Sequence, residues 1–211
     1  MIAPSSRFAP RSDQDVVRLV LDHPLAWVVS GEGADFRATL LPIRPVYEPN
    51  GPITSLVGHF ARSNDHSVLL KHNPRALILF LGPQGYISPS WMQDKTQAPT
   101  WNYASVQFQL ELIFRDEPDH ADAALRDLVE GMEADRPGRW RIEEMGQRYT
   151  GLSRGVVAFD AKVLRAEPKY KLGQDEREDV YDDIVAGLEA EGTRDLVDWM
   201  RLYNRGRKRN D

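Results

Sequence analysis

The chain contains no cysteine among its 211 residues. Disulfides, thiolate catalysis and cysteine-ligated metals are therefore excluded. It also lacks any apolar run long enough to span a bilayer. Its first residues, Met1-Ile2-Ala3-Pro4-Ser5, do not follow the charged-then-apolar layout of a signal peptide. These absences point to a cytoplasmic chain with no membrane partner. A net positive charge is missing as well: 27 Lys and Arg face 32 Asp and Glu, a formal charge of −5. Duplex binding draws much of its affinity from neutralising phosphates, so this balance gives no support to a DNA-binding surface. The one dense basic run, Arg205-Gly206-Arg207-Lys208-Arg209, reads as a solvated terminus. No glycine-rich dinucleotide fingerprint, P-loop or nucleophile elbow occurs.

What is present is a core-forming composition, 41% hydrophobic and 9% aromatic. Ser12-Asp13-Gln14-Asp15 opens a capped helix that ends at His23-Pro24. Leu25 to Val29 reads as a strand, Gly31-Glu32-Gly33 as a turn, and Phe36 to Ile43 as a second strand. A loop is expected over 45–52, a strand over 53–60 and a helix over 65–71. The apolar run 76–81 suits a buried strand, and Gly82-Pro83-Gln84-Gly85 a turn. Alternation from Val106 to Phe114 gives the clearest strand, with Val106, Phe108, Leu110, Leu112 and Phe114 inward. A helix over 118–134 carries Leu125, Leu128, Val129 and Met132 on one side. A last strand is expected over 156–164, and two helices over 176–191 and 193–204. Short turns between consecutive strands favour an antiparallel barrel, mainly β with α, over a doubly wound parallel sheet. The barrel domain is assigned to residues 1–168, with 169–211 a lysine-bearing loop and helices packed on it.

Three segments carry residues that structure alone does not demand. In Gly58-His59-Phe60-Ala61-Arg62-Ser63-Asn64, an arginine, a hydroxyl and an amide precede a helix N-terminus. That combination suits either a phosphate or a capped helix with a surface ion pair. The loop from Gly82 to Tyr103 concentrates Trp91, Trp101, Asn102 and Tyr103, which fit a subunit interface or a planar ligand. In Lys169-Tyr170-Lys171-Leu172-Gly173-Gln174-Asp175, alternate lysines share one face of an extended chain. His59, His66 and His72 lie close in sequence, but no pair has metal-site helix spacing and no carboxylate stands at ligand distance in the chain, so no metal site is expected.

Together these segments resemble the PaiB family, the FMN-binding negative transcriptional regulators. The resemblance is carried by GHFARSNDHSVLLKHNPRALILFLGPQGYISPSWMQDKTQAPTWNY and by KYKLGQD. It implies a flavin split barrel related to pyridoxamine phosphate oxidases, acting as a homodimer with FMN at the interface. By that resemblance Arg62 and Ser63 fall at the FMN phosphate and Thr39 near the ring, with His59, Asn64, Trp101, Asn102, Lys169, Lys171 and Gln174 completing the cofactor-binding set. Its regulatory name implies DNA as a partner. The alternatives are a flavin-dependent oxidoreductase acting on a small molecule, or a barrel binding haem through His59. No catalytic residue is assigned. The chain departs from the family pattern at Leu40, where a histidine is expected, and at Gly173 and Asp175, where a serine and an asparagine are expected.

Overall fold

The computed structural model describes residues 7–32 and 35–205. Gly33 of the expected turn and residues 206–209 of the basic tail lie outside that range. The chain opens with α1 (Asp13–Asp22), whose start is fixed by Asp15. The Asp15 carboxylate accepts from the backbone N–H groups of Arg11 at 2.8 Å and Ser12 at 3.1 Å. Six strands and five more helices follow among the described residues. They are β1 (Leu25–Glu32), β2 (Asp35–Tyr47), β3 (Ile53–Ala61), α2 (Asp65–His72), β4 (Arg75–Ile87), β5 (Thr100–Arg115), α3 (Pro118–Glu133), α4 (Gln147–Ser153), β6 (Val156–Lys171), α5 (Glu178–Ala190) and α6 (Arg194–Tyr203).

All strand pairs are antiparallel and run round a ring in the order β1-β2-β3-β6-β5-β4. The expected α+β split barrel is the fold observed. The ring is uneven. β5 and β6 pair along almost their whole length, whereas β1 meets β4 through Trp27↔Leu79, Val28↔Ile78 and Val29↔Leu77 alone. Inward residues of the long strands, Phe60, Phe80, Phe108, Phe159, Ile43 and Leu56, are fully buried. α1 packs on β2 and β4, α5 and α6 pack on β4, and α6 also meets β5 at Asn102 and β6 at Tyr170. There Tyr170, Trp199 and Tyr203 stack with centroids 5.2–6.0 Å apart.

Several elements differ from their expected limits. β2 runs on to Tyr47 through Pro42 and Pro45, where a loop was expected from 45. The missing N–H of Pro45 faces a side with no strand partner. Ile43 donates to Pro24 on the β1 side, so alternation turns residue 45 the same way, beyond the start of β1 at Leu25. Residue 42 turns toward β3 at the end of its registered pairing, Ile43↔Gly58. Gly82-Pro83-Gln84-Gly85 is a bulge inside β4 rather than a turn, with the register slipping between Leu81 and Gln84. β6 continues to Lys171 because β5 extends back to Thr100 and pairs with it. The domain boundary at 168/169 falls inside this strand. In α3 the buried side is Ala121 and Ala124, while Met132 is exposed. The 3-10 turn Ile142–Met145 and α4 have too few apolar residues for a visible period.

Candidate functional site

The ring opens where β2 leaves β3. From Ile43 to Tyr47 the two strands are paired, but from Asp35 to Pro42 β2 is registered only with β1. Since odd residues of β2 direct their backbone groups to β1, the N–H and C=O of Ala38 and Leu40 point into the opening, where no β3 residue is registered opposite them. A free strand edge of this kind presents alternating donors and acceptors to a flat heteroaromatic ring.

The start of α2 lines the same opening. Asn64 caps the helix, its Oδ1 accepting from the His66 N–H at 3.0 Å, and its Nδ2 lies 3.4 Å from Thr39 Oγ1. His66 is buried and bonded at both ring nitrogens, Nδ1 to Thr39 Oγ1 at 2.9 Å and Nε2 to Ser30 Oγ at 2.8 Å. Burial, with the charge of Arg37, holds its pKa below the ordinary histidine value. The ring is therefore neutral, donating to one hydroxyl and accepting from the other. Thr39 thus turns its side chain to His66, leaving its neighbours' backbone at the opening.

Arg62 follows β3 directly. Its N–H donates to Gly155 O at 2.9 Å and its Nε to Arg154 O at 3.2 Å, anchoring it to the start of β6. The terminal nitrogens reach Asp116, which also receives Lys71 Nζ at 2.9 Å. Lys71 foremost, then Arg62, holds the Asp116 carboxyl below its usual range. Ser63 is exposed beside this cluster. His59 stands half-buried on the outer face of β3, opposite Ala158, with its pKa lowered by burial.

The other expected residues lie elsewhere. Trp101 is exposed on the outer face, edge-on to Tyr86 at 6.0 Å. Asn102 is 1% exposed and turns inward, its Nδ2 on Met200 Sδ at 3.7 Å and its Oδ1 without a partner among the described residues. Lys169 lies over the Tyr103 ring and Lys171 donates to Thr100 Oγ1. Gln174 braces the turn after β6, accepting from Leu172 N and donating to Tyr170 O. Along β5, Asn102 is thirteen residues from Arg115, next to Asp116, which is about 40 Å of strand. Within one chain, Thr39 and Asn64 meet and Arg62 and Ser63 directly precede Asn64, while His59 lies on the outer face of β3; Trp101, Asn102, Lys169, Lys171 and Gln174 form a second group at the opposite end. Ser30, His66, Lys71 and Asp116 complete the first group and were not singled out for it. Only the sequence neighbourhood of His66 and Asn64 could have pointed to any of them.

The profile of the family described as "Putative FMN-binding domain" matches residues 1–165. The chain belongs to this family. It is 26% identical over 185 residues to Protease synthase and sporulation protein PAI 2 of Bacillus subtilis, covering 87% of each chain. It is 25% identical over 195 residues to an uncharacterized Aspergillus fumigatus protein, covering 72% of this chain and 74% of that one. Among solved structures, the flavocytochrome Anf3 of Azotobacter vinelandii superposes with a TM-score of 0.59 at 18% identity, covering 86% of this chain and 82% of that one. The FAD and heme binding protein of Mycobacterium smegmatis gives 0.57 at 17% identity, covering 84% and 79%. The expected family and fold are thus observed: this is a PaiB-like split barrel of the FMN-binding family, and FMN is the cofactor that membership assigns. The opening between β2 and β3 offers such a group a free backbone edge beside a helix N-terminus and the Ser63 hydroxyl, with the Arg62 guanidinium next along the chain, turned to Asp116 and the start of β6.

Proposed function

We propose that FMN lies in the opening between β2 and β3, with its phosphate on Arg62 and Ser63 and its ring along the edge at Ala38 and Leu40. His66 fixes Thr39 and the start of α2, and so sets the width of the opening. When bound, FMN supplies the redox chemistry. The protein's share is to bind, orient and exclude water.

The observation that carries this reading furthest is the separation of the two groups of family residues. In a single chain Trp101, Lys169 and Lys171 are too far from Arg62 to share a ligand with it. A two-fold axis lets one subunit supply the first group and its partner the second. The outer face supports a homodimer on that axis. Trp27 is registered beside Leu40 and Leu79, and with Leu25, Leu81, Tyr86 and Trp101 it forms an exposed apolar surface joining the two groups. Surfaces of that kind mark subunit contacts.

The regulatory role carried by the family resemblance is part of the same reading, in a cytoplasmic protein. No helix among the described residues is long and apolar enough to cross a membrane. With a charge of −5, regulation through a protein or metabolite partner fits better than a phosphate-tracking DNA surface. A second reading, haem on the neutral imidazole of His59, is favoured by the burial-lowered pKa of that residue. The absorption spectrum of protein purified without added cofactor separates the two, because flavin and haem have different bands. Titrating FMN by fluorescence quenching then tests the site. Arg62→Ala is expected to weaken binding about tenfold or more, as charged hydrogen bonds contribute roughly 1.5–3 kcal/mol each. Equal affinities would remove Arg62 from the site.

A further inference from the structure

A second cavity lies beside the Arg62–Asp116 cluster, on the outer face of β2, β3 and β6 under α3, with Ala158 opposite His59 and Arg115 next to Asp116. It is a groove of about 450 Å³ with a floor of Val57 and Ala158 and walls of Val46, Tyr47 and Ala123. Two arginines border it. Arg44 reaches Asp127 of α3 through Nε at 3.2 Å, and Arg115 reaches Asp160 through Nε at 2.7 Å. Neither arginine makes another hydrogen bond among the described residues, so the terminal nitrogens of both guanidinium groups keep their donors free. For Arg115, half in solvent, that costs little. The Arg44 side chain is only 18% exposed. α3 closes over it at Gly131, where an added Cβ would stand 2.6 Å from the guanidinium carbon. The terminal nitrogens of Arg44 still reach solvent, and an anion that brings its own apolar body exchanges that water for the guanidinium beside an apolar floor.

We propose that this groove is a binding site for a small amphipathic carboxylate. Its carboxylate takes the terminal N–H groups of Arg44 in a bidentate pair, and its apolar body lies over Val46, Val57 and Ala123. The two arginines and the two carboxylates at the groove balance in charge, so the unused guanidinium donors, and not a net charge, select an anion over a cation. A simple inorganic anion would leave the apolar floor uncovered. The groove's lining shares no residue with the proposed FMN site.

Calorimetric titration of the full chain with phenylacetate, hexanoate, acetate and phenylethylamine tests it. Phenylacetate and hexanoate are expected to bind with dissociation constants of about 1 mM or tighter. Acetate and phenylethylamine are expected to bind at least ~10-fold more weakly. Arg44→Gln should weaken the two amphipathic acids ~10-fold or more. Because Arg44 also holds α3, a second variant, Ala123→Leu, fills the groove from an exposed helical position and should abolish binding without lowering the melting temperature. Acetate binding as well as phenylacetate, the amine binding as well as the acids, undiminished binding to Ala123→Leu, or no binding of either acid at 10-fold the stated concentration would each overturn the proposal.

Discussion

Arg62 holds Asp116 twice, donating Nη1 to its Oδ1 at 3.2 Å and Nη2 to its carbonyl oxygen at 3.3 Å. Lys71 shares the same carboxylate at 2.9 Å. Asp116 therefore occupies the donors that an FMN phosphate would use, and the two anions compete for one pair of cations. Replacing Asp116 with Asn removes the competing charge while keeping a side chain of similar shape. FMN affinity should rise several-fold in Asp116→Asn by fluorescence titration, opposite in sign to Arg62→Ala. A weaker affinity in Asp116→Asn would mean that the carboxylate positions Arg62 rather than competing for it.

The apolar outer face yields a linked pair of outcomes. Trp27→Glu puts a charge at the centre of that face, on a residue already exposed in the single chain, so the fold should survive. Light scattering is expected to change from twice the chain mass to 24.0 kDa, with FMN affinity lost in parallel. A variant that stays dimeric would place the subunit contact elsewhere, and a monomer that keeps its FMN would show a site complete in one chain.

Two histidines give stability a pH dependence of fixed sign. His66, between Ser30, Thr39 and Asn64, and His59 on β3 both have folded-state pKa values lowered by burial. On acidification the unfolded chain takes up these protons first, starting near its ordinary pKa of about 6.5. Their contribution to stability is thus complete above about pH 6.5 and is lost as pH falls through the lower folded values. Melting temperatures at pH 7.5 and 5.5 should differ by less in His66→Gln than in the wild type. An unchanged gap would assign the acid sensitivity to other groups.

Gly187 in α5 touches the Trp91 indole, and a Cβ there would stand 2.3 Å from Trp91 Cδ2. Gly187→Ala must displace the indole and loosen the aromatic loop from α5, at a cost of about 1–3 kcal/mol by urea denaturation. Gly151 in α4 has nothing within 4 Å of an added Cβ. Gly151→Ala should gain about 0.4–1 kcal/mol through the unfolded chain. Equal effects at the two positions would show that backbone entropy, and not the Trp91 contact, governs Gly187.

The sequence by itself determined the elements whose cause is local. Alternation from Val106 to Phe114 marks β5, Asp15 closes the cap of α1, and Asn64 marks the start of α2 because a cap is written within a few residues. It also determined the family, since the run from Gly58 to Tyr103 is long and specific. The tertiary structure alone decided the rest. Pro45 looks like a loop residue until the start of β1 at Leu25 shows that its missing N–H has no partner to lose. Lys169 and Lys171 look like loop lysines until β5, some seventy residues earlier in the chain, extends β6 to meet them. Asp116 carries no local signal at all; it reaches Arg62 because the ends of β5 and β3 converge on α2. Local chemistry is legible in a chain because its partners are near in sequence, whereas pairings across the ring follow from which strand edges remain free once the others are taken.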